Sequence, residues 1–135
     1  LKNIEKVKKK LRESFNCRFS KVYEYQAVGF DGPDFLNFVV NFFTDFQVEE
    51  VEKVISRIEE EMGRQEEQRG FSNRIIDIDL LLFGDLISEN TKNIPHRNLK
   101  DCIFVLEPLV ELSPNAAHPI NKKTFKEILN NLGGK

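Results

Sequence analysis

Apolar residues recur at helical spacing from the start of the chain. Leu1, Ile4, Val7, Leu11 and Phe15 share one side, while Lys2, Glu5, Lys6, Lys8, Lys9, Arg12 and Glu13 lie mostly around the other. That pattern predicts an amphipathic helix. After Asn16 the period shortens to alternation, with Phe19, Tyr23 and Tyr25 on one side and Arg18, Ser20 and Glu24 on the other, which predicts a strand. Gly29 to Asp34 is rich in turn formers. A second strand is predicted over Phe35 to Phe46, where Leu36, Phe38, Val40, Phe42 and Phe46 form an apolar face against helices, while the odd positions carry the amides Asn37 and Asn41. Thr44 or Asp45 then caps a helix that turns Val48, Val51, Val54, Ile55, Ile58 and Met62 inward, with Glu49, Glu50 and Glu52 where the helix dipole favours them. Gly63 is expected to end it. Arg64 to Asn73 is polar and without period, which predicts a mobile surface loop.

The run from Arg74 to Phe83 is aliphatic apart from Arg74, Asp77 and Asp79, and it reads as a buried strand. Beyond Gly84-Asp85 come a polar excursion, Ile94-Pro95-His96, and an apolar stretch from Ile103 to Leu112. Pro108 interrupts that stretch, so a mixture of turn and helix is predicted. Thr124 and Glu127 have the spacing of a capping box for a last helix that buries Phe125, Ile128, Leu129 and Leu132 before Gly133-Gly134. Helix, strand, strand, helix, strand is most of a ferredoxin-like α+β sandwich, with helices on one face of an antiparallel sheet and a C-terminal helical extension, in a single domain over 1–135.

Asp77 and Asp79 are two apart on the predicted strand and so project from the same face. Two carboxylates side by side raise each other's pKa and are costly to desolvate unless a cation lies between them. A divalent metal is one solution, since Mg²⁺ accepts one or two carboxylates and completes its octahedron with water and phosphate oxygens. The other is structural, a pair of edge aspartates bonded to arginine or backbone groups. The chain has no glycine-rich phosphate loop, so a phosphate would rest on metal and on Arg64, Arg69, Arg74, His96 and Arg97. His96 reads equally as an ordinary surface histidine. Asn37 can read a ligand with donor and acceptor together, or make a cross-strand hydrogen bond.

Composition narrows the class. The chain has 135 residues, 40% hydrophobic and 31% charged, with twelve Phe and no Trp, enough for a real core. A formal charge of −2 gives no reason to expect a nucleic-acid backbone as partner, and no run of about 18 apolar residues exists to span a bilayer. Cys17 and Cys102 lack metal-ligand spacing, and no leader pattern opens the chain, which points to a reducing cytoplasm and, by default, a monomer. Neither a basic surface nor aromatic RNP-type strands support an RNA-binding module.

The stretch RGFSNRIIDIDLLLFGDLI, followed by IPHRNLKDCIFVLEPLVELSP and HP and preceded by GPDFLNFVV and RIEEEMGR, resembles the 6-hydroxymethyl-7,8-dihydropterin pyrophosphokinases over nearly the whole chain. The resemblance implies transfer of the β,γ-diphosphoryl group of ATP to the pterin hydroxymethyl oxygen, with release of AMP, in folate biosynthesis. It implies that Asp77 and Asp79 bind a pair of Mg²⁺ ions, and that Arg74, Arg64 and His96 act at the phosphates. It also implies that Arg97 and Glu59 belong to the ATP site, with Glu59 near the adenine. Asn37, Phe71, Phe104 and Asp77 would line the pterin. Diphosphoryl transfer needs charge neutralisation and in-line positioning more than covalent help, which agrees with the residues themselves.

Some positions depart from the family. Its leading strand and Gly-Ser-Asn turn do not precede the first helix, Cys102 stands where an arginine is usual, Glu66 replaces a loop arginine, and Phe71 replaces a loop tryptophan. Two hypotheses follow: a working pyrophosphokinase, which Asp77, Asp79 and Arg74 favour, and a degenerate relative that binds Mg-nucleotide or pterin with little turnover, which Cys102 and the missing leader favour.

Overall fold

The computed structural model describes residues 2–25, 35–68, 77–89 and 93–133. Among them the order is α1 (Lys2–Ser14), β1 (Asn16–Phe19), β2 (Tyr23–Tyr25), β3 (Phe35–Asn37), β4 (Val40–Phe43), α2 (Val48–Gln68), a 3₁₀ turn (Arg97–Lys100), α3 (Ile103–Leu112) and α4 (Phe125–Gly133). The fold is α+β, with four α-helices among the described residues and short strands paired as β1 with β4 and, antiparallel, β2 with β3. The chain divides into two compact units, Leu1–Cys17 with Phe42–Leu80, and Arg18–Asn41 with Leu81–Lys135.

In the first unit α1 packs on α2 through the stripes that the helical period predicts. Ile4, Val7, Leu11 and Phe15 are buried on one side, and Val51, Ile55, Ile58 and Met62 on the other. Each such side chain contributes roughly 1.5–3 kcal/mol through burial. Lys10 Nζ bonds Glu61 Oε1 at 2.7 Å beside this seam, and the Phe15 ring stacks on Phe42 at 3.9 Å.

The start and end of α2 differ from expectation. Neither Thr44 nor Asp45 caps it: Thr44 Oγ1 accepts the Phe46 N–H, and Glu50 Oε1 reaches back to accept the Gln47 N–H, the carboxylate half of a capping box. The helix also passes Gly63 and continues to Gln68. Glycine costs only about 1 kcal/mol against alanine, and the Arg-Gln-Glu-Glu-Gln that follows consists of strong helix formers. The predicted loop therefore does not begin at Arg64. Residues 69–73 of that loop, like the turn-rich segment at 29–34, lie outside the described residues.

In the second unit the core gathers Val39, Leu99, Leu106, Leu109, Phe125 and Ile128. β2 and β3 pair with Tyr23 opposite Asn37 and Tyr25 opposite Phe35. The two long strands of the sequence reading are each broken in the middle, and one contact explains both breaks. Ser20 Oγ accepts the Val39 N–H at 2.9 Å, and the Ser20 N–H donates to the Val39 carbonyl at 2.8 Å. This clasp buries Val39, an odd position, while Leu36 stays 41% exposed, so the expected division of faces does not hold through the segment.

α3 is continuous across Pro108, against the expected interruption. The capping box of α4 forms as read: Thr124 Oγ1 accepts the Glu127 N–H, and Glu127 Oε1 accepts the Thr124 N–H at 3.0 Å. These bonds hold the Glu127 carboxyl below its ordinary pKa.

Candidate active site

The acidic segment forms no ladder over residues 77–83. Residues 77–83 are not in a strand, which corrects that part of the predicted buried strand, and residues 69–76 lie outside the described residues. The physical reason is where the backbone groups go. The Ile78 N–H donates to Glu59 Oε2 at 2.7 Å, and the Leu81 carbonyl accepts the His96 N–H at 2.8 Å. A helix side chain and a loop thus take bonds that a neighbouring strand would otherwise make. The alternation survives: Asp77 and Asp79 are exposed, whereas Ile78 and Leu80 are half-buried. The two carboxylates therefore share the outward side.

Glu59 faces the acid segment because α2 is regular. It follows the buried Ile58 by one residue and so stands at the edge of the apolar stripe, half-buried. Its carboxylate accepts the N–H of the residue between the two aspartates, a charge-assisted bond of the stronger kind. Arg64 lies one turn further along α2, its side chain outside the described residues; Arg69, Phe71 and Arg74 lie outside them altogether.

The remaining candidates belong to the second unit. After the acid segment the chain turns at Gly84, whose φ of +56° favours glycine. It returns through the Ser88–Ile94 bridge to His96. His96 caps the 3₁₀ turn that begins with the exposed Arg97, its Nδ1 accepting the Asn98 N–H at 3.1 Å. With Nδ1 an acceptor, the hydrogen of the neutral ring belongs on Nε2.

Asn37 and Phe104 are brought together. Asn37 Nδ2 donates to the Phe104 carbonyl at 2.7 Å, and the Phe104 ring, 36% exposed, lies 4.6 Å from that of Tyr25. The second strand amide behaves alike, Asn41 Nδ2 donating to Ser113 Oγ at 3.3 Å. The amide face of the sequence reading thus meets both ends of α3.

Sequence reasoning missed a pair of tyrosines. Tyr25 Oη donates to Glu107 Oε1 at 2.9 Å and Tyr23 Oη to Glu111 Oε1 at 2.8 Å. Burial first, and the glutamates after it, push both phenols up, Tyr23 to about 12. Glu107 and Glu111, four apart, carried the signal, but it is legible only if residues 103–112 form one helix. The bond from Tyr25 to Glu107 holds Tyr25 beside the Phe104 ring.

The donors present suit a hard cation at Asp77 and Asp79, an anion at His96 and Arg97, and a flat ring with an amide edge at Phe104 and Asn37. No group of three or more metal-ligating side chains occurs among the described residues, so a metal there would complete its coordination with water or substrate oxygens. An open depression lined by Arg12 to Cys17 contains none of the candidate residues.

Comparison with known proteins bears on this chemistry. A family model described as 7,8-dihydro-6-hydroxymethylpterin-pyrophosphokinase matches residues 1–114. The chain is 39% identical over 129 residues to the 2-amino-4-hydroxy-6-hydroxymethyldihydropteridine pyrophosphokinase of Aquifex aeolicus, an alignment covering 94% of this chain and 78% of that protein. It is 31% identical over 112 residues to the Haemophilus influenzae protein of the same name, covering 82% and 69%. With the folic acid synthesis protein fol1 of Schizosaccharomyces pombe it shares 35% identity over 116 residues, 84% of this chain and 16% of that one.

Proposed function

The chain belongs to the 7,8-dihydro-6-hydroxymethylpterin-pyrophosphokinase family, and from that premise we propose how its residues divide the work. It is an ATP-dependent diphosphotransferase of folate biosynthesis, acting on hydroxymethyldihydropterin. The pterin hydroxymethyl oxygen attacks the β-phosphorus and gives its proton up to solvent, the bond from that phosphorus to the α-phosphate oxygen breaks, and AMP leaves with that oxygen.

Asp77 and Asp79 hold Mg²⁺, two ions with ATP bound. The fit rests on the outward side that the two carboxylates share and on their hard oxygen donors, since Mg²⁺ keeps several waters and phosphate oxygens and needs few protein ligands. When bound, the metal neutralises charge on the phosphates and fixes their geometry. Arg64, Arg69, Arg74 and Arg97, with the Nε2–H of His96, supply donors to the phosphates. Glu59 belongs to the ATP side, and its bond to Ile78 holds the stretch between the two aspartates in place. Asn37 reads the pterin edge, Asp77 adds an acceptor to the pterin, and Phe104 and Phe71 stack on its ring. We take residues 1–135 as one pyrophosphokinase-like domain on a ferredoxin-like plan that acts as a cytoplasmic monomer, with no nucleic acid or membrane as partner. No helix among the described residues is long and apolar enough to cross a membrane.

The observation that carries this reading is the exposed Asp77/Asp79 pair, tethered at the residue between them, in a chain of this family. The test is Mg-dependent AMP formation from ATP and hydroxymethyldihydropterin. Asp77→Ala and Asp79→Ala are each expected to lower it at least about a hundredfold with the fold intact. Unchanged turnover in either variant removes the metal assignment. Pterin or Mg-nucleotide binding without AMP formation by the unaltered chain would make it a binding protein instead.

A further inference from the structure

Pro108 is the sixth residue of α3. Any other residue there would donate its N–H to the carbonyl four positions back, that of Phe104, whereas proline has no N–H and its ring crowds that carbonyl. The Phe104 carbonyl therefore lacks its helical donor inside an unbroken helix. Asn37 Nδ2 supplies one, at 2.7 Å. We propose that Pro108 is a positioning residue for substrate recognition: by withholding an N–H it keeps the Phe104 carbonyl out of the helical ladder and open to Asn37, and so fixes the orientation of the Asn37 amide.

The consequences follow from donor chemistry. A carbonyl only accepts, so the Nδ2 end of the amide must face Phe104, and the Oδ1 end is presented away from it. Among the described residues nothing donates to Asn37 Oδ1. The same residue whose carbonyl orients the amide also carries the half-exposed Phe104 ring, seated against Tyr25. A flat heterocycle that stacks on the ring and offers an N–H or amino donor in its own plane needs those two groups fixed relative to each other. The bond to the Phe104 carbonyl ties them through a single residue. This inference rests on the reading that Asn37 and Phe104 bind the pterin.

A merely structural Pro108 makes a different forecast. Proline is the least favoured residue in a helix interior, so a filler role predicts that alanine changes stability and leaves substrate affinity alone. The experiment is steady-state kinetics of the whole chain for both substrates, with thermal melts alongside. Pro108→Ala restores an N–H that draws the Phe104 carbonyl back into the helical ladder and so weakens and reorients its bond to Asn37, and it is expected to raise the KM for hydroxymethyldihydropterin about tenfold while leaving the KM for ATP unchanged. Asn37→Ala raises the same KM, and in that background Pro108→Ala adds nothing, because the bond it weakens is already gone. Asn37→Asp keeps an acceptor but loses the donor, and it behaves like Asn37→Ala.

A wild-type pterin KM in Pro108→Ala, or full additivity with Asn37→Ala, overturns the proposal. Should Pro108→Ala fail to fold, Asn37→Asp decides alone, and a wild-type pterin KM there overturns it. Failure of the underlying reading looks different: Asn37→Ala itself then leaves the pterin KM unchanged.

Discussion

The segment that carries Asp77 and Asp79 and the region from α3 to the end of α4 are held in contrasting ways. The C-terminal region is held many times over: Leu106, Leu109, Phe125 and Ile128 are buried, a two-way capping box starts α4, and Asn37 and Asn41 bond the two ends of α3. The acid segment has half-buried Ile78 and Leu80 and a side-chain tether from Glu59, with no ladder. The acid segment itself is thus held by fewer contacts than the C-terminal region. A carboxylate pair that must admit metal and phosphate stays at the surface, so little apolar area is left there to bury.

Changes in the two regions should then have separable effects. The largest concerns Phe125, fully buried in the C-terminal core. Phe125→Ala is expected to cost about 3–5 kcal/mol of stability, read by urea or thermal unfolding, while turnover per folded molecule at low temperature is retained. If turnover falls with the core intact by circular dichroism, the two regions are coupled and the contrast breaks. Next comes Glu59. Glu59→Ala is expected to reduce AMP formation about tenfold with only a small fall in melting temperature, because the part-buried Ile78 N–H loses its acceptor and the stretch between the aspartates loses its fixed position. Glu59→Gln keeps an acceptor oxygen and should recover most of that loss; equal damage in both variants would assign the role of Glu59 to its charge instead.

The same contrast explains what the sequence made legible. Amphipathic stripes and the Thr124/Glu127 box are local signals, and the structure reproduces them. Where tertiary bonds compete with local pattern, the reading slipped. Alternation from Phe19 to Tyr25 and from Phe35 to Phe46 looked continuous, but the clasp between Ser20 and Val39 breaks both runs at once. Pro108 looked like an interruption because its compensation, the Asn37 amide, lies some seventy residues away in sequence, at a separation of 67 from Phe104. Gly63 looked like a stop because its small local cost was weighed without the five helix formers that follow. At the candidate site the period of two correctly gave Asp77 and Asp79 a common side, while the Glu59 tether between them needs coordinates to be seen.

The smallest expected effect is on pH dependence, and it comes from a weak point inside the well-held region. His118 is 1% exposed; its Nδ1 accepts the Ile120 N–H at 3.2 Å, and its buried Nε2 has no hydrogen-bond partner among the described residues. Protonating Nδ1 would set a hydrogen against that donor, and burial, with the nearby Lys100 charge second, lowers the His118 pKa. The folded chain therefore holds the ring neutral at a pH where the unfolded chain, near 6.5, begins to bind a proton. The contribution of His118 to stability is complete above about pH 6.5 and is lost as pH falls through the lower folded value. His118→Asn can present Oδ1 to the same turn without titrating. Urea midpoints at pH 7.5, 6.5 and 5.5 should fall more steeply for the unaltered chain than for His118→Asn. Parallel slopes would mean that carboxylates alone set the acid sensitivity, and that the C-terminal region has no proton-linked site of its own.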